Sequence, residues 1–277
     1  MKGKRNSMIK LIATDMDGTL LDSGKRLPAD LPRVVRALKA RGVRFAVASG
    51  RQYYALRRDL EPLVPDILFI AENGALIMEN DRQLFIDPLP SEEIGRILRA
   101  AQGLKGVYAA VCRAGSALVE SSASEEFIYN MTMYYANTQV VDNLIERCEG
   151  LQDVCKVAFY DEGDAATHEL PVLSAALSDS LAVILSGESW VDVMKPGVNK
   201  GRAMSILLEQ RGLAPEECMA FGDYLNDLKM VEAAGHGYCM ENGHPDLKRA
   251  ARHIAPPNTE DGVVRAVCAA LGIENLE

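Results

Sequence analysis

Residues 8–20 read MIKLIATDMDGTL, a mostly apolar run that ends in a turn rich in carboxylates. A run such as Met8–Thr14 is typical of a strand that is buried on both faces of a parallel sheet. The turn carries Asp15 and Asp17 on either side of one residue, and Gly18 follows directly. Open α/β sheets bind their ligands at the carboxyl ends of their strands. The stretch therefore predicts both a fold class and the location of a site.

The alternation of strand and helix continues to residue 81 and resumes at residue 190. Further strands are predicted at Val43–Ala48, Ile67–Ala71, Trp190–Met194, Cys218–Phe221 and His236–Met240. Helices are predicted at Pro28–Arg41, Gln52–Leu60, Lys200–Arg211, Leu225–Ala233, Pro245–Ala250 and Glu260–Leu271. This alternation indicates an α/β fold, a doubly wound Rossmann-like parallel sheet with helices on both faces.

The middle third has a less regular pattern. Helices are predicted there at Ser91–Gln102, Glu125–Tyr135, Val140–Glu149 and His168–Leu177. Strands are predicted at Gly106–Val111, Ser116–Glu120, Val154–Tyr160 and Leu181–Leu185. The mixture predicts a separate α+β domain over residues 82–189, inserted into a core domain made of residues 1–81 and 190–277.

The composition excludes several classes of function. The 277 residues carry a formal net charge of −9, which disfavours a nucleic-acid-binding surface. No run of about 18 apolar residues is present, so we expect no membrane-spanning helix. The six cysteines include no C-x-x-C pair and are expected to be free thiols in a reducing compartment, which favours a cytoplasmic location. A small phosphorylated molecule remains a possible partner, provided that a local positive site or a metal ion receives it.

Polar side chains follow three of the predicted parallel strands. In chain order they are Asp15 and Asp17, then Ser49, then Asp223 with Asp227. Because the carboxyl ends of parallel strands meet at one edge of the sheet, we expect these side chains to converge. Gathered carboxylates repel one another, and a hard cation such as Mg²⁺, which prefers oxygen ligands, relieves that repulsion. Lys200, at the start of a predicted helix, can balance a carboxylate and a phosphate together.

These groups suit phosphoryl transfer. A carboxylate can attack phosphorus and form an aspartyl-phosphate, which divides one difficult step into two. A second carboxylate two residues further on can protonate the leaving oxygen and then activate water. Gly18 lets the turn approach the phosphate closely, and the Ser49 hydroxyl and the Lys200 ammonium complete the binding site.

The same residues resemble the four motifs of the haloacid dehalogenase superfamily in order and spacing. The matching segments are Asp15-Met16-Asp17-Gly18-Thr19-Leu20, Ser49-Gly50-Arg51, Lys200-Gly201 and Gly222-Asp223-Tyr224-Leu225-Asn226-Asp227. The resemblance extends to Glu72-Asn73-Gly74 and to residues 258–263, and so covers essentially the whole core. The inserted third lies where the Cof-like sugar-phosphatase branch carries its type II cap, and it matches that cap in length and position only.

The resemblance implies a role for each matching residue. Asp15 would be the nucleophile and a magnesium ligand. Asp17 would be the general acid/base and would bind the metal through its backbone carbonyl. Asp223 would be the third protein ligand, and Ser49 and Lys200 would hold the phosphate.

Five further positions follow from the motifs, and some of them have alternatives open. Gly50 and Arg51 would line the phosphate or substrate site, although a surface ion pair fits Arg51 about equally well. Asn226 would bind the phosphate or, like Asp227, would support the metal or Lys200. Asn73 fits a turn almost as well as a substrate-facing position.

One segment departs from the family pattern. Residues 240–243 read Met-Glu-Asn-Gly, where the family usually has Met-Gly-Asn-Ala. Glu241 adds a charged side chain near the expected mouth of the site. The departure leaves the chemistry intact but gives no ground for borrowing a substrate preference from the family.

The leading hypothesis is a Mg²⁺-dependent phosphatase of small phosphorylated metabolites, with sugar phosphates as the expected class. A phosphomutase or phosphotransferase would use the same site and pass the phosphoryl group to a sugar hydroxyl. A receiver-like phospho-binding module would also gather acidic groups, a hydroxyl and a lysine around Mg²⁺. It needs neither the second carboxylate at Asp17 nor an insertion of this size. Nothing in the sequence indicates an oligomeric state.

Overall fold

The computed structural model describes residues 8–135 and 137–273, which form two compact units. The first unit takes its described residues from Met1–Gly50, Leu60–Leu84 and Asn199–Glu277. The second unit consists of Arg51–Asp59 and Phe85–Val198. Two β-sheets, one of eight strands and one of six, organise the two units.

Fourteen strands and ten α-helices run through the described residues. The strands are β1 Leu11–Asp15, β2 Arg44–Ala48, β3 Ile67–Ala71, β4 Leu76–Glu79, β5 Arg82–Ile86, β6 Val107–Arg113, β7 Ala117–Glu120, β8 Thr138–Val141, β9 Val154–Asp161, β10 Ala182–Gly187, β11 Trp190–Met194, β12 Cys218–Gly222, β13 His236–Met240 and β14 His253–Ala255. The helices are α1 Leu31–Ala40, α2 Tyr53–Asp59, α3 Ser91–Ala100, α4 Glu125–Tyr134, α5 Leu144–Cys148, α6 Glu169–Leu177, α7 Lys200–Arg211, α8 Leu228–Ala233, α9 Pro245–Ala250 and α10 Gly262–Leu271. None of these helices has the length and apolar character needed to span a membrane.

The eight-stranded sheet has the order β14-β13-β12-β1-β2-β3-β4-β5. Neighbouring strands from β14 to β3 pair in parallel, and β4 pairs antiparallel with β3. The chain moves from β1 to β2 in one direction and from β12 to β13 in the other. Because such crossovers are right-handed, α1 and α8 lie on opposite faces of the sheet. The predicted doubly wound α/β class is confirmed, and β1 lies where the winding direction reverses.

Local sequence explains the main elements of the first unit. Strands β1 and β3 are buried at every residue, as strands covered by helices on both faces must be. Helix α1 buries a single stripe at helical spacing, formed by Leu31, Val34, Val35 and Leu38. Helix α7 begins after Asn199, whose side chain accepts the N–H of Arg202, and ends at Gly212 in the left-handed conformation.

The six-stranded sheet has the order β10-β11-β9-β6-β7-β8, with antiparallel neighbours except for the parallel pair β7–β8. Alternate residues of each strand face opposite sides. One face packs against α3, α5 and α6, and the other packs around Phe127 of α4. A buried ion pair joins Lys156 on β9 to Asp192 on β11, with 2.9 Å between Nζ and Oδ2. This unit is therefore α+β, as the sequence predicts for the insertion.

The predicted helix Val140–Glu149 is wrong in its first part. Val140 and Val141 instead belong to β8 and pair in parallel with β7. The helix starts later, at α5, because the Asn143 side chain accepts the N–H groups of Ile145 and Glu146 and so caps it. Two adjacent β-branched residues favour the strand, and the capping residue was the signal that marks the true start of the helix.

Other strands also differ from the prediction. The sequence assigns Trp190–Met194 to the first domain, whereas β11 pairs antiparallel with β9 and β10 in the six-stranded sheet. An apolar run indicates burial but does not identify the pairing partner.

The hairpin β4–β5 and the short strand β14 were not predicted. Asn80 and Asp81, at φ 50° and 60°, form the β4–β5 turn, and adjacent residues at positive φ are typical of type I′ hairpins. The limits of the insertion at residues 82 and 189 stay a prediction.

Replacing Asp192 by Asn should lower the free energy of unfolding of the second unit by about 3 kcal/mol, because the buried Lys156 ammonium would lose this carboxylate. Trp190, the one tryptophan of the chain, lies on the same strand, so its fluorescence during urea unfolding reports on this unit.

Asp179→Asn is the matched control, because it removes the same charge from an exposed ion pair with Arg96. Its effect should stay below about 1 kcal/mol. Equal effects of the two substitutions would contradict a stabilising role for the buried pair.

Candidate active site

The candidate site lies at the carboxyl end of β1, between β2 and β12. Asp15 is the last residue of β1 and is in register with Ala48, so Ser49 follows at the same edge of the sheet. Thr14 is in register with Phe221, which brings Asp223 to that edge from the other side. This is the position where doubly wound sheets bind ligands, because the loops diverge there and leave a crevice.

Lys200 is buried at the start of α7 and joins two carboxylates. Its Nζ donates to Asp15 Oδ1 at 2.5 Å and to Asp227 Oδ1 at 2.7 Å. The side chain is 2% exposed, and Asp227 is fully buried. Burial alone would lower the pKa of Lys200, but the charges of Asp15 and Asp227 reverse this effect and raise it above its ordinary value. Lys200 is therefore a permanent cation at physiological pH.

Three carboxylates crowd around this single ammonium. Asp15, Asp223 and Asp227 each bring an oxygen within 4.8 Å of the other two. Burial raises the pKa of Asp15 to about 7, and the charges of Asp227 and Asp223 add to the rise while Lys200 opposes it. Burial likewise raises the pKa of Asp223. Lys200 therefore does not offset the cost of burying these charged carboxylates together.

A hard divalent cation fits this imbalance, and the geometry indicates which carboxylates could hold it. Asp227 already uses both oxygens, one for Lys200 and the other for the N–H groups of Asp223 and Tyr224. Asp15 and Asp223 are therefore the carboxylates suited to an ion, and Asp227 is suited to holding Lys200. Oxygen ligands of this kind match the preference of Mg²⁺.

Asp17 lies outside the buried cluster, in the turn that follows β1. Its carboxylate accepts a hydrogen bond from Lys25 Nζ at 2.6 Å; the Lys25 side chain is 65% exposed and the Asp17 side chain is 39% exposed. Solvent-accessible ion pairs contribute only about 0–1 kcal/mol, so the loss of the Lys25 contact itself would cost little. Lys25 has φ 60°, a conformation that is uncommon for a residue with a side chain.

The second motif brings Ser49 and Asn73 together. Ser49 is buried just beyond β2, and its carbonyl accepts the N–H of Asn73 at 3.1 Å. Asn73 is left-handed, at φ 55°, and its Oδ1 lies 2.9 Å from the position that a Cβ on Gly50 would occupy. A side chain at position 50 would therefore displace Asn73.

The structure gives Arg51 and Asn226 less support as binding residues. Arg51 forms an ion pair with Asp59 at 3.1 Å, the alternative that the sequence had left open. Asn226 is exposed in the short 3-10 turn Leu225–Asp227 that precedes α8. Their assigned roles stay predictions.

Sequence reasoning missed two partners of the motif residues. The Thr19 hydroxyl donates to Asp223 Oδ1 at 3.0 Å, which orients that carboxylate. Gly18, at φ 80°, makes this approach possible, because a Cβ there would lie 2.3 Å from Asp223 Oδ2. Lys25 is the second missed residue, since its distance in sequence from Asp17 gives no signal of contact. Thr19 lies inside the first motif, so its hydroxyl could have been predicted from the sequence to contact a carboxylate of the site.

Replacing Lys200 by Met should lower the free energy of unfolding by about 3 kcal/mol at pH 7 in the presence of EDTA, because it leaves the buried Asp15 and Asp227 without their shared cation. The measurement is urea unfolding followed by far-UV circular dichroism.

Lys229→Met is the matched control, since Lys229 lies on α8 and forms an exposed ion pair with Glu232. It should change stability by less than about 1 kcal/mol. A stable Lys200→Met protein would show that the carboxylates are not balanced by this lysine.

Comparisons with known proteins identify the family of the chain. The family model described as haloacid dehalogenase-like hydrolase matches residues 12–267. The chain is 29% identical to the 5-amino-6-(5-phospho-D-ribitylamino)uracil phosphatase YbjI of Escherichia coli, over 94% of this chain and 95% of that protein. It is 28% identical to an HMP-PP phosphatase of Cronobacter sakazakii, over 89% of each.

A solved structure is similar over the same extent. A haloacid dehalogenase-like hydrolase from Bacteroides thetaiotaomicron aligns with a TM-score of 0.82 at 26% identity, covering 95% of this chain and 99% of that one. The resemblance drawn from the four sequence motifs is thereby confirmed. The chain belongs to the haloacid dehalogenase-like hydrolase family.

Proposed function

We propose that this protein is a Mg²⁺-dependent phosphatase that hydrolyses small phosphorylated metabolites through an aspartyl-phosphate on Asp15. The observation that carries the proposal is the buried cluster in which Lys200 joins Asp15 to Asp227 while Asp223 lies within 4.8 Å. A phosphate monoester is a dianion, so a site that cleaves it must balance charge on the nucleophile and on the phosphate together.

In the first half of the reaction Asp15 attacks phosphorus. Lys200 holds one Asp15 oxygen at 2.5 Å and so directs the other oxygen to the phosphate. The bond between that oxygen and phosphorus forms, and the bond to the leaving oxygen breaks with its electron pair. Asp17 supplies the proton that the leaving alkoxide needs, which its exposed position in the turn permits.

In the second half of the reaction, water displaces the Asp15 carboxylate from phosphorus. Asp17, now a carboxylate, takes a proton from a water molecule that attacks phosphorus. The bond between phosphorus and Asp15 breaks, which releases inorganic phosphate and restores the Asp15 carboxylate. The Ser49 hydroxyl and the Lys200 ammonium are proposed to hold the phosphate oxygens through both halves.

Mg²⁺, when bound by Asp15, Asp223 and the Asp17 carbonyl, would supply charge neutralisation to the phosphate. The hydrogen bond from the Thr19 hydroxyl fixes the Asp223 carboxylate, which would act as one of these ligands. Asp227 contributes indirectly, because it fixes Lys200 and the backbone of residues 223 and 224.

The substrate class rests on the relatives. The uracil derivative in the name of the Escherichia coli relative carries a phosphorylated ribityl chain, a sugar-alcohol phosphate. We therefore propose sugar phosphates and related small phosphate esters as substrates. The burial of all six cysteines as thiols supports a cytoplasmic enzyme, and the net charge of −9 supports one that does not bind nucleic acid.

Asp15→Asn should reduce turnover of a generic aryl phosphate by at least about 1,000-fold, because an amide is a poor nucleophile and covalent catalysis is lost. The assay is release of the aryl alcohol with Mg²⁺ present. Asp246→Asn, an exposed carboxylate on α9, is the control and should keep wild-type turnover. Normal turnover in Asp15→Asn would remove the nucleophile assignment.

Metal dependence gives a separate test. EDTA should abolish turnover, and added Mg²⁺ should restore it, because the buried carboxylates of the site otherwise repel the phosphate dianion. Full activity after exhaustive chelation would contradict the proposed cofactor.

The choice between hydrolysis and transfer is made with sugar phosphates as substrates. A phosphatase releases one inorganic phosphate for each sugar phosphate consumed. A phosphomutase converts the sugar phosphate into an isomer and releases none. Stoichiometric phosphate release from a panel of sugar phosphates is the expected result, and isomer formation would favour the mutase.

A further inference from the structure

The turn of residues 15–21, here named the catalytic turn, is held by side chains from distant parts of the chain. Asn242 Nδ2 donates to the Gly18 carbonyl at 2.8 Å. Asn258 Nδ2 donates to the Leu21 carbonyl, also at 2.8 Å. Asn242 follows β13 and Asn258 precedes α10, more than 200 residues from the turn.

The two asparagines are also joined to each other. The N–H of Asn258 donates to Asn242 Oδ1 at 3.0 Å. Both ends of the Asn242 amide are therefore used, its nitrogen for a carbonyl and its oxygen for an N–H. Each partner admits only one orientation of the amide, so this part of the network is unambiguous.

We propose that Asn242 and Asn258 form a clamp that positions the catalytic turn for phosphoryl transfer, an inference that rests on the function proposed above. They are positioning residues, because they contact the backbone of the turn and not the reacting atoms. The clamp joins the segments that follow β13 and β14 to the turn that follows β1.

The catalytic turn needs such support. Within it, the carbonyl of Met16 accepts the N–H groups of Thr19 at 3.4 Å and of Leu21 at 2.9 Å, and the first of these bonds is long. Gly18, the residue that Asn242 holds, stands between Asp17 and Thr19. A shift of the Gly18 peptide therefore moves the acid/base residue on one side and the partner of Asp223 on the other.

A small shift there should be expensive for catalysis. Misplacing a reacting group by about 1 Å can cost about 100-fold in rate. The clamp acts on Asp17 and, through Thr19, on Asp223. The expected consequence of breaking it is a loss in kcat, with little change in the strength of substrate binding.

Asparagine suits these positions because the clamp needs an amide N–H. An aspartate of the same shape has no donor, and its oxygen would face the carbonyl of Gly18 or Leu21. Asn242→Asp and Asn258→Asp therefore remove one donor each and preserve side-chain volume. Asn242→Ala and Asn258→Ala remove the donors without adding charge, which separates the loss of the hydrogen bonds from repulsion of the substrate.

The experiment compares kcat and KM for an aryl phosphate in these variants with saturating Mg²⁺. Each variant should lose about 10- to 100-fold in kcat while KM changes by less than about 3-fold. The double variant Asn242→Ala/Asn258→Ala should lose no more than about 3-fold beyond the worse single variant, because linked residues are not additive. If the loss in kcat of the double variant instead equals the product of the two single losses, the two asparagines act independently and the clamp is overturned.

Asn143→Asp is the matched control. Asn143 uses only its side-chain oxygen, as the cap of α5, so the same substitution preserves its hydrogen bonds. It should keep wild-type kcat and KM.

Amide hydrogen exchange tests the clamp by a measurement that does not depend on enzymatic activity. The N–H groups of Thr19 and Leu21 should exchange faster in Asn242→Ala than in the wild type, while those of the second unit stay unchanged. Unaltered protection in the catalytic turn would overturn the clamp. If wild-type protein hydrolyses no phosphate ester, the proposed function fails, and the exchange result still decides whether the clamp exists.

Discussion

The balance of charge around Lys200 is the constraint on which the rest of the site depends. One buried ammonium lies 2.5 Å from Asp15 and 2.7 Å from Asp227. Removing charged groups from water costs several kcal/mol for each ion, so such a group is retained only where its partners are well placed. The sheet supplies that placement, because β1 and β12 are neighbours and α7 begins beside them.

The three carboxylates of the cluster outnumber its one buried ammonium, and this excess of negative charge suits a site that binds a cation together with a phosphate. Burial raises the pKa of both Asp15 and Asp223, so a cation bound beside them would stabilise their charged forms. Asp227 contributes differently, since both of its oxygens are committed to protein groups. The cluster thus divides into carboxylates that can react or bind and one that positions Lys200.

The sequence was sufficient to predict strands β1, β2, β3, β12 and β13 of the eight-stranded sheet and the carboxylates that gather around Lys200, because both follow from local patterns. Apolar runs mark buried strands, and polar residues after them mark the ligand-binding edge. Pairing between distant strands leaves no such local pattern, which is why Trp190–Met194 was assigned to the wrong sheet. Contacts across long stretches of chain, such as Asn242 with Gly18, were missed for the same reason. The predicted helix Val140–Glu149 was wrong for a different reason, since the capping residue Asn143, which marks the true start of the helix, was visible in the sequence.

The covalent step on Asp15 can be examined directly. Acid-quenched enzyme taken during turnover is treated with borohydride, which reduces an acyl phosphate to an alcohol, and the peptides are then analysed by mass spectrometry. A phosphorylated Asp15 predicts homoserine at position 15 and at no other carboxylate. Active enzyme that yields unmodified Asp15, or that carries the modification at another residue such as Asp223, would contradict the assignment of the nucleophile.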